Sequence, residues 1–176
     1  MSGHNKFSKI KHQKAKNDSQ KSKVFGKLVR FITVEAKKAG GNLKSPGLAL
    51  AIEKAKKENM PNDTIDRAVK KASVDNSAQM ESIVYESYGP GGVAILIDAL
   101  TDNRNKAAQE IKAILVKHGS ELASPGNASW AFTKTHEGWS ANTTLPLEDS
   151  DIEKLQALLE ELEENDEVQD IFTNAE

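Results

Sequence analysis

The chain has 176 residues, with 24 Lys and Arg, 26 Asp and Glu, no cysteine and a formal net charge of −2. Without cysteine there is no disulfide framework, thiol nucleophile or Cys-based zinc site, and no stretch approaches the roughly 18 apolar residues of a membrane span. The near-neutral total hides a division: residues 1–76 hold 18 Lys/Arg against 7 Asp/Glu, a balance of +11, and residues 77–176 hold 6 against 19, a balance of −13.

The opening stretch, MSGHNKFSKIKHQKAKND, lacks the apolar core of a secretory signal, which points to the cytoplasm. Residues 1–23 are polar and lysine-rich, with Phe7 and Ile10 as the large apolar exceptions, and are expected to form a mobile basic arm. From Val24 a helical pattern starts, with Phe25, Leu28, Val29, Ile32 and Ala36 on one face, and Gly40-Gly41-Asn42 ends it. Ser45-Pro46 predicts a new helix, with Ser as cap and Pro in the first turn, carrying Leu48, Ala51, Ile52 and Ala55. A third helix near Pro61 presents Ile65, Ala68, Val69 and Ala72. Residues 24–76 thus read as a three-helix bundle with a lysine-rich surface.

Beyond a polar linker at 73–81 the pattern turns to strands. Ile83–Tyr85 and Val93–Ile97 flank the turn Tyr88-Gly89-Pro90-Gly91-Gly92. Thr101–Asn105 offers cap residues to a helix bearing Ala107, Ala108, Ile111, Ile114 and Leu115, which stops at His118-Gly119. Ser129–Phe132 and Thr143–Leu147 are short strand candidates. Ser150 and Glu153 have the spacing of a capping box before a helix with Ile152, Leu155, Leu158, Leu159 and Leu162 on one face, and Val168–Thr173 reads as a last strand. The order predicts an α+β protein: the N-terminal three-helix bundle with its basic arm, then an antiparallel or mixed sheet covered by two helices in residues 77–176.

Chemistry concentrates at the basic end. Lys6, Lys9, Lys11, Lys14, Lys16, Lys21, Lys23, Lys27 and Arg30 place nine positive charges in 30 residues, opposed by Asp18 alone. Such a segment gains free energy on a phosphate backbone by releasing counterions, with a salt slope of up to about −8 if every charge engages duplex DNA. A solvated solubility tail would carry the same charges. Interruption of the run by Phe7, Ile10 and His12, and further cations at Arg67, Lys70 and Lys71, favour nucleic acid; Phe7 is the aromatic expected to stack on a base. Lysine predominates over arginine, which suits point-charge phosphate contacts better than bidentate base reading. Gly91 and Gly92 could expose backbone N–H groups to a phosphate, but a tight turn between two strands explains them better. Helix capping explains Asn103 or Asn105 without a ligand, and Arg104 and Lys106 could extend a basic surface. The four histidines show no catalytic or metal spacing, and no nucleophile elbow or dinucleotide fingerprint occurs. Trp130 and Trp139 read as core residues. No metal, cofactor, membrane or small-molecule substrate is expected.

These residues also resemble the YebC/PmpR family, to which the mitochondrial translational activator of cytochrome c oxidase subunit I belongs. The resemblance rests on Gly3–Phe7 with Ile10–Ala15, Ala51–Lys56, Asn59-Met60-Pro61 with Ile65 and Arg67-Ala68, Tyr85-Glu86 with Tyr88–Ala94, Leu100–Asn105, and Asp166–Gln169 with Thr173-Asn174. It implies a helical N-terminal domain followed by α/β domains, no enzymatic activity, and a regulator that binds DNA, or a translation factor that binds ribosomal or messenger RNA and associates with the ribosome. Fuller family members carry another α/β segment where this chain has only TKTHEGWSANTTLPL after Phe132, so this resembles a short form with that segment missing near residues 133–142.

Overall fold

A computed structural model describes residues 18–74 and 79–176. They divide into a helical unit and an α/β unit, the second running from Met80 to Glu176.

The helical unit holds α1 (Asp18–Ala39), α2 (Pro46–Lys57) and α3 (Asn62–Val74). α1 starts at Asp18 rather than Val24, so Lys21 and Lys23 stand on a helix and not on an arm. Lysine is a good helix former, and once Phe25, Leu28 and Ile32 anchor one face, each added turn costs little because nucleation has already been met. Gly40 and Gly41, with φ of +57° and +86°, then turn the chain. Ser45 occupies the N-cap of α2 but its side chain makes no cap hydrogen bond, so Pro46 at the first helical position carries the start. Asn59 closes α2 at φ +60°, the left-handed position favoured at helix ends, and Met60 N–H returns to the Ala55 carbonyl. Ile32, Ala36, Leu48, Ala51, Ala55, Met60, Ile65, Ala68 and Ala72 form the core, with Phe25, Leu28 and Val29 packed against it. Its many alanines let the three backbones approach closely.

The α/β unit is built on a four-stranded antiparallel sheet in the order β3-β1-β2-β6, where β1 is Glu81–Tyr88, β2 Ala94–Thr101, β3 Glu121–Ala123 and β6 Val168–Thr173. The helices α4 (Arg104–Lys117) and α5 (Asp149–Glu164) pack on one face through Ile95, Ile97, Ala99, Ile111, Leu115, Ile152, Leu155, Leu158 and Leu162. On the other face Ala94 and Leu96 meet Ala128, Ala131 and Phe132, beside the separate hairpin of β4 (Phe132–Thr135) and β5 (Gly138–Ala141). Covering on both faces is why β2 reads AILIDALT, almost continuously apolar, instead of alternating. A one-residue bulge in β6 lies opposite Asp98 and Ala99.

Three local expectations change. Ser129–Ala131 is a 3₁₀ turn and the strand begins at Phe132, because the Ala128 and Ser129 N–H groups are held by the Glu86 carboxylate instead of a neighbouring strand. Thr143–Leu147 is reduced to a single parallel bridge between Leu145 and Ala175, since Pro146 has no N–H with which to extend a ladder. The capping box does not form: α5 starts at Asp149, with Glu148 at the N-cap and no side-chain cap hydrogen bond. Asp149 and Asp151 in the first turn complement the positive end of the helix dipole, which favours that earlier start.

Candidate nucleic-acid interface

On α1, Lys23, Lys27 and Arg30 recur at i, i+4 and i+7, and so line one side of the helix, away from the stripe of Leu28, Ile32 and Ala36 that enters the core. The three are half-buried, and exposed Lys37 continues the same side. Lys21 lies off this stripe, a turn before Phe25. On α3 the apolar positions Ile65, Ala68 and Ala72 turn inward and leave Arg67, Lys70 and Lys71 exposed. The Arg67 Nε–H donates to the Asp63 carbonyl at 3.3 Å. Among the described residues Lys70 and Lys71 form no ion pair.

The end of α2 adds Lys54, Lys56 and Lys57 in its last turn, where cations also offset the negative end of the helix dipole. Lys54 Nζ lies 5.7 Å from the centre of the Phe31 ring, and Lys57 pairs with Glu53 at 3.2 Å. A groove bounded by Leu43, Ala49 and Ile52 runs beside Lys56 and Lys57. The unit therefore presents lysines on all three helices, with Ala49 and Ile52 of α2 and Leu43 of the preceding loop forming an apolar patch beside Lys56 and Lys57. Lys6, Phe7, Lys9, Lys11, His12, Lys14 and Lys16 lie outside the described residues.

The candidates in the α/β unit are occupied within the protein. Gly91 and Gly92 take φ of +69° and +84°, and a Cβ on Gly91 would sit 2.5 Å from Leu147 Cδ2. Gly89 N–H closes the turn on the Val93 carbonyl at 2.8 Å. Turn geometry and close packing account for this glycine cluster. The Asn103 side chain accepts the Lys106 N–H at 3.1 Å and caps α4. Arg104 grips Glu81 with two contacts, Nε to Oε1 at 3.3 Å and Nη2 to Oε2 at 3.1 Å, and this carboxylate raises the guanidinium pKa above its ordinary value. Burial raises the pKa of the nearby Tyr85, against the opposing pull of Arg104.

Two features of this unit escaped the sequence reading. Glu86 is buried, and its carboxylate accepts the N–H groups of Gly126, Ala128 and Ser129 at 2.8, 2.7 and 2.8 Å. Burial works to raise its pKa, but the three backbone donors outweigh that and hold it below the ordinary carboxylate value. Trp130, expected in the core, is 60% exposed, whereas Trp139 packs against the core on the hairpin side. The Tyr85-Glu86 pair was legible as a motif, but nothing in it foretold three backbone partners forty residues away. Among the described residues no cluster of three or more His, Asp or Glu could hold a metal ion, and no helix is long and apolar enough to cross a membrane.

Residues 5–75 match the family model described as TACO1/YebC protein N-terminal domain, and residues 80–137 match the one described as TACO1/YebC second and third domain. A probable transcriptional regulatory protein of Fervidobacterium nodosum is 43% identical over 171 residues, covering 96% of this chain and 68% of the relative. One from Finegoldia magna is 49% identical over 136 residues, covering 76% of this chain and 56% of its own length. Across eight relatives with that description, this chain spans from 54% to 71% of their lengths. The crystal structure of a conserved hypothetical protein from Aquifex aeolicus superposes with a TM-score of 0.79 at 30% identity, covering 92% of this chain and 93% of that one.

Proposed function

This chain belongs to the TACO1/YebC family, and from that premise we propose that it is a non-enzymatic, cytoplasmic regulator of gene expression that acts by binding nucleic acid, with DNA as its target in a transcriptional role. The observation that carries the proposal is the cationic side of α1, Lys23, Lys27 and Arg30, in a unit that also exposes Arg67, Lys70 and Lys71. Helical spacing gives those α1 charges a fixed repeat along a rigid rod, which a solubility tail does not need. Phosphate contacts of this kind position a protein without reading sequence. The segment before α1 would add Lys6, Lys9, Lys11, His12, Lys14 and Lys16 to the same polyanion, with Phe7 stacking on a base. Relatives described as probable transcriptional regulatory proteins support the regulatory role.

A second reading, a translation factor on ribosomal or messenger RNA, is favoured by one observation. Arg30 and Arg67 are the only arginines of the basic half, and the Arg67 Nε–H is already committed to a backbone carbonyl. That leaves little for bidentate recognition of base edges in a DNA major groove.

The test is a salt series on the full chain with duplex DNA and with structured RNA. Replacing Lys23, Lys27 and Arg30 together by Ala should reduce the salt slope on duplex DNA by up to about 3, and removing residues 1–17, which leaves α1 whole, should reduce it further. Unchanged affinity and slope in both variants would refute the assignment. A slope that changes only on RNA would move the function to translation.

A further inference from the structure

The exposed tryptophan lies outside the proposed nucleic-acid surface and asks for its own explanation. Ala131 and Phe132, which follow it, are buried, and the 3₁₀ turn at Ser129–Ala131 swings the indole outward between them and Ala128. This loop is fastened by Glu86, whose buried carboxylate takes the N–H groups of Gly126, Ala128 and Ser129. Burying a carboxylate is costly unless its hydrogen bonds are made, so the loop bearing Trp130 is held firmly in place. The indole Nε1–H donates to Tyr88 Oη at 2.9 Å, and the Tyr88 hydroxyl in turn donates to the Asn127 carbonyl. Both polar edges are consumed inside the protein, and Trp130 at 60% exposure and Tyr88 at 37% are left to offer their ring surfaces.

Charge decides what such a surface takes. Residues 77–176 hold 6 Lys/Arg against 19 Asp/Glu, which repels a phosphate backbone and attracts a cation. Glu121 is the direct cross-strand partner of Tyr88, so the two side chains share one face of the sheet. Glu121 is exposed, and among the described residues it makes no ion pair. Tryptophan and tyrosine are the residue types that most often anchor protein interfaces. We propose that Trp130 and Tyr88, with Glu121 beside them, form a docking platform for an arginine-bearing segment of a partner protein. A guanidinium stacks flat on an indole while its edge hydrogen-bonds a carboxylate, which an ammonium cannot do as well.

The experiment titrates the full chain with a short Gly-Arg repeat peptide, its Gly-Lys counterpart and a single-stranded thymidine oligonucleotide. The indole N–H resonances report the binding, since the two tryptophans of the chain give two signals. The Arg peptide should shift the Trp130 resonance and bind more tightly than the Lys peptide. Measured by calorimetry because the variant lacks the reporting indole, binding to Trp130→Ala should be weaker by roughly two- to fivefold, and Glu121→Gln should weaken it while leaving the fold and the Trp130 signal intact. No shift with the Arg peptide, a shift whose affinity neither substitution alters, or a Trp130 shift produced by the oligonucleotide alone would each overturn the proposal, the last identifying a base-stacking site instead.

Discussion

Replacing Glu86 by Gln removes the charge from a buried acceptor that holds three backbone N–H groups. Hydrogen bonds to a charged acceptor contribute about 1.5–3 kcal/mol each. The amide oxygen of Gln can keep some of them, while its NH₂ faces a donor and leaves at least one N–H buried without a partner. An overall loss of about 2–4 kcal/mol follows, equivalent to roughly 10–25 °C in the melting temperature of a unit this size. Both tryptophans of the chain, Trp130 and Trp139, lie in the α/β unit, so urea unfolding followed by tryptophan fluorescence reports that unit selectively. The pH dependence supplies a second arm. Because the pKa of Glu86 is held below its ordinary value in the folded protein, its contribution is full above that ordinary value and is lost as pH falls through the folded one. The stability gap between wild type and Glu86→Gln should therefore narrow on acidification. A destabilisation under about 0.5 kcal/mol at neutral pH, or a gap that stays constant or widens in acid, would refute the role assigned to this carboxylate.

Other outcomes can be checked by the same unfolding measurement. Asn103→Ala deletes the cap of α4 and should cost about 1 kcal/mol. Gly91→Ala forces a side chain into a φ of +69° and against Leu147, with an expected loss of about 1–3 kcal/mol. Leu155→Ala opens a cavity where α5 meets the sheet and should cost about 2–5 kcal/mol. Arg104→Ala breaks a solvent-exposed pair, and should leave the urea midpoint of the α/β unit nearly unchanged.

The helices were legible because each carries its own periodic apolar face, and burial follows that face: Leu48, Ala51 and Ala55 in α2, Ile65, Ala68 and Ala72 in α3, Ile152, Leu155, Leu158 and Leu162 in α5. Strands β1, β2 and β6 were legible from their β-branched runs. β3 and β5 were not, since three or four residues of ELA or GWSA hold too little pattern to be distinguished from loop. The charge stripe on α1 could be read as a set of lysines, but its placement on one side of a helix required knowing that the helix begins at Asp18.

Charge asymmetry, helical periodicity and the glycine turn are local properties, determined by residues within a few positions of one another, and the sequence alone determined them. Glu86 and Trp130 are of another kind. Trp130 beside a short apolar run read as core and Glu86 drew no structural expectation, because local pattern cannot count backbone donors forty positions distant. Only the folded chain brings Gly126, Ala128 and Ser129 to the carboxylate and takes their N–H groups out of any ladder. Once those donors are committed, the chain must turn at Ser129–Ala131, and that turn sets the indole in solvent. A buried polar group must find its partners wherever the fold supplies them, and here that requirement placed Trp130, expected in the core, in solvent.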